Sequence, residues 1–107
     1  MMQFSRPPPP SVAPLVRDGV RYEQVMNATI LGERQVGGFL AAIDDRSGER
    51  LWTLKIYDVA ADPVMEGDVQ DVFFTRMAWA DGVLEIENEA GDRYKVDPKT
   101  RAVTPAG

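Results

Sequence analysis

Residues 37–59, GGFLAAIDDRSGERLWTLKIYDV, decide the fold of this chain, because they predict two β-strands joined by a tight turn. Residues 39–43 are apolar throughout, while residues 51–57 alternate and place Trp52, Leu54 and Ile56 on one face. Alternation with a period of two is typical of a strand that buries one face. We therefore expect Trp52, Leu54 and Ile56 in the core, and Tyr57 on the opposite face.

The turn between these strands is the segment DDRSGE, residues 44–49. Asp44 suits the first turn position, because its carboxylate can accept a hydrogen bond from a backbone N–H two residues further on. Gly48 supplies the positive φ that a short hairpin loop commonly needs. The local chemistry therefore predicts a β-hairpin at this place.

The same residues carry a family resemblance. Residues 42–52, AIDDRSGERLW, resemble the A-x-D-x-x-[TS]-G-x-x-x-W signature of quinoprotein-like (PQQ-type) β-propeller blades, and a degraded copy, VDPKTR, lies at residues 96–101. In that family the motif closes a hairpin within a blade, and its tryptophan docks onto a neighbouring blade. The resemblance therefore implies a packing role for Trp52, and we carry over no quinone cofactor from it.

Chain length limits how far this resemblance extends. A chain of 107 residues holds at most about two blades of roughly 40–50 residues. A closed propeller needs about four to eight blades. The chain cannot close a propeller alone.

Turn signals recur outside the central hairpin, at Asp18-Gly19, Asp81-Gly82, residues 90–92 and residues 97–101. Short strands with turns every ~8–12 residues predict an all-β antiparallel meander of about six or seven strands, closed as a barrel or a sandwich. The further strands are expected at residues 12–16, 20–26, 72–79, 83–88 and 93–96, and residues 102–104 are the place of an optional last short strand.

Three segments qualify this layout. Gln24 interrupts the apolar face of residues 20–26, and residues 27–31 either continue that strand or begin another. Asp62-Pro63 predicts at most one short helix. Residues 1–11 are expected to be a disordered proline-rich tail, which leaves residues 12–105 as a single β domain.

Composition narrows the class of function. The net charge is −5 and no basic cluster is present, which argues against a nucleic-acid partner. The chain contains no cysteine and no histidine, so the commonest thiol nucleophile, general base and transition-metal ligands are missing. No apolar run reaches the ~18 residues of a membrane span. Without an apolar signal segment, the expected location is the cytoplasm.

Carboxylates cluster twice. Glu66, Asp68 and Asp71 lie in the longest loop, but their spacing matches no established calcium loop, so we expect no metal site. Glu85, Glu87 and Glu89 follow at alternate positions. They are better explained as a solvated strand face than as a catalytic pair, so no catalytic residue is assigned.

The aromatic residues carry the functional hypothesis. Phe73 and Phe74 are consecutive and must face opposite sides of a strand, with Phe73 sharing the inner face of Trp79. Tyr57 and Phe74, if both lie on the outer side, would form an exposed binding patch.

We therefore expect a non-catalytic module that binds another protein or itself, for instance as a homodimer joined through the outer face or an open sheet edge. Pro14 should blunt the edge at the start of the chain. The alternative is a small-molecule or cation-binding domain, or a weak enzyme using Asp and Glu. A deep apolar pocket would favour this alternative.

Overall fold

Eight antiparallel strands form in the computed structural model, which describes residues 12–26, 28–32, 35, 37–58 and 72–106. The strands are β1 (Leu15–Arg17), β2 (Val20–Gln24), β3 (Phe39–Asp44), β4 (Arg50–Lys55), β5 (Phe74–Ala80), β6 (Val83–Asn88), β7 (Arg93–Val96) and β8 (Val103–Pro105). A 3-10 helix, Ala28–Leu31, lies between β2 and β3.

The strands build two four-stranded sheets, ordered β1-β2-β3-β4 and β5-β6-β7-β8. The predicted all-β meander is confirmed. Among the described strands no ladder joins the two sheets, so they form a sandwich and not a barrel. About six or seven strands were expected, and the described residues form eight, because the optional last strand is present at Val103–Pro105.

Two further predictions concern the chain between β2 and β3 and the segments that the structure does not describe. Residues 28–31 form the 3-10 helix and do not extend β2 or start another strand. The predicted tail (residues 1–11) and almost all of the predicted short helix, together with Glu66, Asp68 and Asp71, lie outside the described residues.

The same turn joins the first two strands of each sheet. Asp18 and Gly19 have φ of 53° and 76°, and Asp81 and Gly82 have φ of 52° and 78°. Positive φ at both central residues defines the type I′ turn, whose twist matches that of the flanking strands. Asp–Gly satisfies this requirement because aspartate tolerates the left-handed region and glycine has no Cβ.

A second kind of turn joins β3 to β4. The Asp44 carboxylate accepts hydrogen bonds from the backbone N–H groups of Arg46 (2.9 Å) and Ser47 (3.1 Å). The Gly48 N–H donates to the Asp44 carbonyl oxygen at 2.8 Å, and Gly48 has a φ of 76°. The predicted hairpin chemistry is therefore confirmed, and the bonds from Ser47 and Arg46 lower the pKa of Asp44.

The β7–β8 turn repeats this geometry in the second sheet. The Asp97 carboxylate accepts from the N–H groups of Lys99 (2.9 Å) and Thr100 (3.4 Å). The Arg101 N–H donates to the Asp97 carbonyl oxygen at 2.6 Å. With equal strand order and with the first and third turns alike, the two sheets are two versions of one structural unit. They differ mainly in the β2–β3 connection, which is longer than that between β6 and β7.

The core lies between the sheets. Its buried members come from both sheets and from the two residues that follow β4, so each sheet covers the apolar face of the other. They are Tyr22, Leu40, Ala42, Ile56, Tyr57, Phe74, Met77, Leu84, Ile86 and Val96.

Arg101 occupies the position that Gly48 holds in the first sheet. Its φ is 62°, in the left-handed region, which costs about 1–2 kcal/mol for a residue with a Cβ. Its guanidinium carbon lies 5.8 Å from the ring centroid of Trp52 in the other sheet. A cation–π contact of this kind contributes about 0.5–1 kcal/mol, so the contact between sheets offsets part of the backbone strain.

Replacing Arg101 separates these two effects. Arg101→Gly and Arg101→Ala both remove the guanidinium, but only glycine relieves the backbone. We expect the glycine variant to be more stable than the alanine variant by about 1 kcal/mol, measured by urea unfolding. Gly48→Ala is the matched control, because nothing lies within 4 Å of the added Cβ. It should lower the free energy of unfolding by about as much as the difference between the alanine and glycine variants at residue 101. If the alanine variant were as stable as the glycine variant, the backbone at residue 101 would not be strained.

Candidate functional site

Tyr57 and Phe74 contact each other, with ring centroids 6.1 Å apart, but they do not form an exposed patch. Tyr57 is 8% exposed and Phe74 is 0% exposed, so the predicted outer-face patch is wrong. Tyr57 follows the end of β4 at Lys55, and alternation along the strand no longer assigns it to the outer face. Phe74 opens β5 with its side chain in the core.

Polar contacts beside this pair join the first sheet to the second. The Tyr57 hydroxyl donates to the Val72 carbonyl oxygen at 2.6 Å, and the Phe74 N–H donates to the side-chain oxygen of buried Gln24 at 2.7 Å. We call Gln24, Tyr57, Val72 and Phe74 the inter-sheet clasp. Gln24, the polar residue that interrupts the apolar face of β2, is therefore hydrogen-bonded across the sandwich, as a buried amide requires.

A second buried amide supports the clasp. The Gln35 side-chain nitrogen donates to the carbonyl oxygens of Gly37 and Tyr57, both at 2.8 Å. Burial is the main cause that raises the pKa of Tyr57 far above its ordinary value. The clasp is thus a buried network that favours the protonated phenol.

The residues expected in the core occupy two environments. Ile56 and Phe73 are buried. Trp52, Leu54 and Trp79 are half-buried and pack against the core cluster. The Tyr22 ring lies between the tryptophans, with centroids 6.1 Å from Trp52 and 5.4 Å from Trp79.

The outer face of the second sheet is charged. Glu85 lies opposite Lys95, and Glu87 lies opposite both Arg76 and Arg93. Cross-strand pairs of opposite charge each contribute roughly 0.2–1 kcal/mol. A shallow recess of about 50 Å³ on this face is lined mainly by these charged residues. The face is a ladder of balanced charges.

Glu89, the third carboxylate of the series, does not belong to that ladder. It follows the end of β6, and its side-chain oxygen accepts a hydrogen bond from the Phe73 N–H at 2.9 Å. The carboxylate therefore holds the chain at the entry to β5.

The outer face of the first sheet is more apolar. β3 is buried on both faces, with Phe39, Ala41 and Ile43 on the outer side. Within the described ranges, all large hydrophobic side chains that are exposed belong to the first sheet or to the chain between β2 and β3. They are Val16 (53%), Met26 (50%), Ile30 (77%) and Leu51 (48%).

Val16 and Leu51 are the two ends of a row of side chains that crosses the strands on this face. Val16 lies opposite Arg21, and Arg21 lies opposite Ile43. Leu51 is the extra residue of a bulge beside Ile43. We call Val16, Arg21, Ile43 and Leu51 the outer row. Leu51 could have been found from the sequence, because it falls on the face opposite Trp52.

The charge of Arg21 is neutralised within the chain. Its guanidinium lies 3.3 Å from the Glu23 carboxylate and 3.2 Å from the Asp45 carboxylate. Such partly exposed pairs contribute about 0–1 kcal/mol each. The outer row therefore has an apolar side chain at each end, and the charge of Arg21 between them is paired within the chain.

Metal and membrane sites receive no support from the part of the chain that the structure describes. Across those residues, no three acidic side chains are grouped so that they could hold a metal ion. No helix among them has the length and apolar character needed to cross a membrane.

The chain matches no protein-family model and no curated protein.

Tyr57→Phe tests the clasp. We expect a loss of about 1 kcal/mol in the free energy of unfolding near neutral pH, because the bond to Val72 disappears. The raised pKa of Tyr57 means that its contribution is complete below about pH 10 and falls as the pH rises further. The advantage of the wild type should therefore shrink above pH 10, measured by urea unfolding at several pH values.

Tyr94→Phe is the matched control, because Tyr94 stacks on Tyr57 at 5.3 Å but is only half-buried. It should change stability much less at neutral pH. A Tyr57→Phe variant as stable as the wild type would show that the hydroxyl does not hold the sheets together.

Proposed function

We propose that this chain is a non-catalytic interaction module, made of two blade-like sheets, and that its first sheet docks against a second copy of the chain. The observation that carries the proposal is the difference between the outer faces. The first sheet presents the outer row with exposed Val16 and Leu51, whereas the second presents balanced charges.

The logic of repeat proteins supports this assignment. Each unit buries its faces against its neighbours, and a terminal unit needs a polar outer face. The second sheet has the surface of a terminal unit. The first sheet has that of an internal unit, which favours a further layer on its outer side.

Two observations support the likeness to propeller blades. The Asp turn of the motif joins the third and fourth strands in both sheets. Trp52, the motif tryptophan, lies beside Arg101 of the neighbouring sheet. A blade-like unit that stacks on another sheet is consistent with both.

Proline residues make two of the four sheet edges, those of β1 and β8, poor sites for pairing with another strand. β8 ends on Pro105, which has no N–H to donate to another strand, and Pro14 lies just before β1. A second copy is the proposed occupant, because two-fold dimers are the commonest oligomers and use the same patch on both subunits. Arg21 remains paired within each copy, so two outer rows can meet without unpaired like charges.

Val16→Glu combined with Leu51→Glu tests the proposal. We expect the wild type to sediment as a dimer at high micromolar concentration, and the double variant to sediment as a folded monomer. Carboxylates on both copies would be buried near each other, which disfavours association.

Thr104→Glu is the matched control. Thr104 is an exposed β8 residue opposite Lys95 in the second sheet, so this variant should remain a dimer. A wild type that sediments as a monomer, or a double variant that still dimerises, would contradict the proposed docking face.

A further inference from the structure

A cleft of about 230 Å³ lies where turns of both sheets meet. The β1–β2 hairpin contributes from one sheet, and the β5–β6 and β7–β8 turns contribute from the other. We call it the turn cleft. Its lining residues are Arg17, Asp18, Tyr22, Trp79, Gly82, Pro98 and Lys99.

The turn cleft is rich in hydrogen-bond donors. Arg17 and Lys99 supply cationic donors, and in the described part of the chain neither takes part in an ion pair. Asp18 is the one acidic side chain of the lining. The cleft therefore carries a net positive charge on a chain whose total charge is −5, which favours an anionic ligand by local attraction.

Trp79 also lines the turn cleft. Its indole Nε1 is buried and has no hydrogen-bond partner within the described residues. Leaving a buried donor unpaired is unfavourable, so such groups are uncommon and call for an explanation. Trp79 is held in place by the edge of the Tyr22 ring, and the Arg17 guanidinium carbon lies 4.8 Å from its ring centroid.

From this geometry we infer that the turn cleft binds a small organic carboxylate. Arg17 and Lys99 would hold the carboxylate, because a guanidinium can donate two parallel hydrogen bonds to its oxygens. The body of the ligand would lie beside Trp79 and Pro98. Because the cleft is smaller than the roughly 300–1,000 Å³ of pockets for drug-sized ligands, the ligand is about the size of benzoate.

The site is separate from the proposed docking face. The outer row lies on the outside of the first sheet, whereas the turn cleft lies between the sheets at the ends of their hairpins. Binding of a carboxylate and formation of a dimer can therefore succeed or fail independently.

Titration with benzoate, followed by the indole N–H resonances in NMR, tests this inference. The chain has two tryptophans, and Trp52→Phe identifies the resonance of Trp79. We expect benzoate to shift the Trp79 resonance saturably, with a dissociation constant on the order of 1 mM, and to shift the Trp52 resonance much less. Benzyl alcohol, which has a similar ring but no charge, should give no saturable shift.

Variants assign the carboxylate to its donors. Arg17→Gln and Lys99→Gln should each weaken benzoate binding about tenfold. Lys95→Gln makes the same charge change on the outer face of the second sheet and should leave binding unchanged. The spectrum of each variant shows directly whether it is folded.

Three results would overturn the inference. The first is the lack of a saturable Trp79 shift with benzoate. The second is equal binding of benzyl alcohol, which would mean an apolar cleft without anion recognition. The third is equal weakening by Lys95→Gln and Lys99→Gln, which would mean that only the total charge matters.

Discussion

Neither sheet of this protein can bury its apolar face without the other, and this constraint governs the rest of the structure. The buried cluster takes Leu40 from one sheet and Leu84 and Ile86 from the other. Each large apolar side chain removed from water contributes about 1.5–3 kcal/mol. The inter-sheet clasp then fixes how the layers meet, because its buried polar groups are satisfied only in this arrangement. Gln24 shows this directly, since its side-chain oxygen accepts from Phe74, fifty residues further along the chain.

The repeated unit explains why the two outer faces differ. The two sheets have the same strand order and two equivalent turns, and the inner face of each packs against the other. The outer faces differ. Phe39, Ala41 and Ile43 are on the outer side of the first sheet, while Glu85 and Glu87 are on the outer side of the second. In a stack of repeated units, the terminal unit needs a polar outer face and an internal unit does not. This difference between the outer faces is the physical basis of the proposed docking.

Local chemistry made much of the fold predictable. The Asp18-Gly19 turn and the Asp44 turn depend on residues close in sequence, so their geometry follows from the side chains and φ angles of a few neighbours. The predicted alternation of exposed and partly buried side chains is correct along β4, up to its end at Lys55. It failed at Tyr57, since a residue beyond the strand end is oriented by tertiary packing and not by the pleat.

Contacts between distant segments were not predictable. The sequence offers no sign that Arg101, in a left-handed position suited to glycine, reaches Trp52 of the other sheet. The turn cleft is likewise assembled from three hairpins that are far apart in the chain. Gln24 appeared only as a polar interruption of an apolar face, because its partner is defined by the packing of the sheets.

Because neither sheet buries its apolar face alone, we expect the two sheets to unfold as one unit. Native-state hydrogen exchange tests this expectation by comparing the backbone amides of β3 with those of β6, one inner strand from each sheet. We expect the slowest amides of both strands to exchange with the same free energy of opening, equal to that of global unfolding. A second sheet whose amides all exchange through a less costly opening, while β3 stays protected, would contradict it.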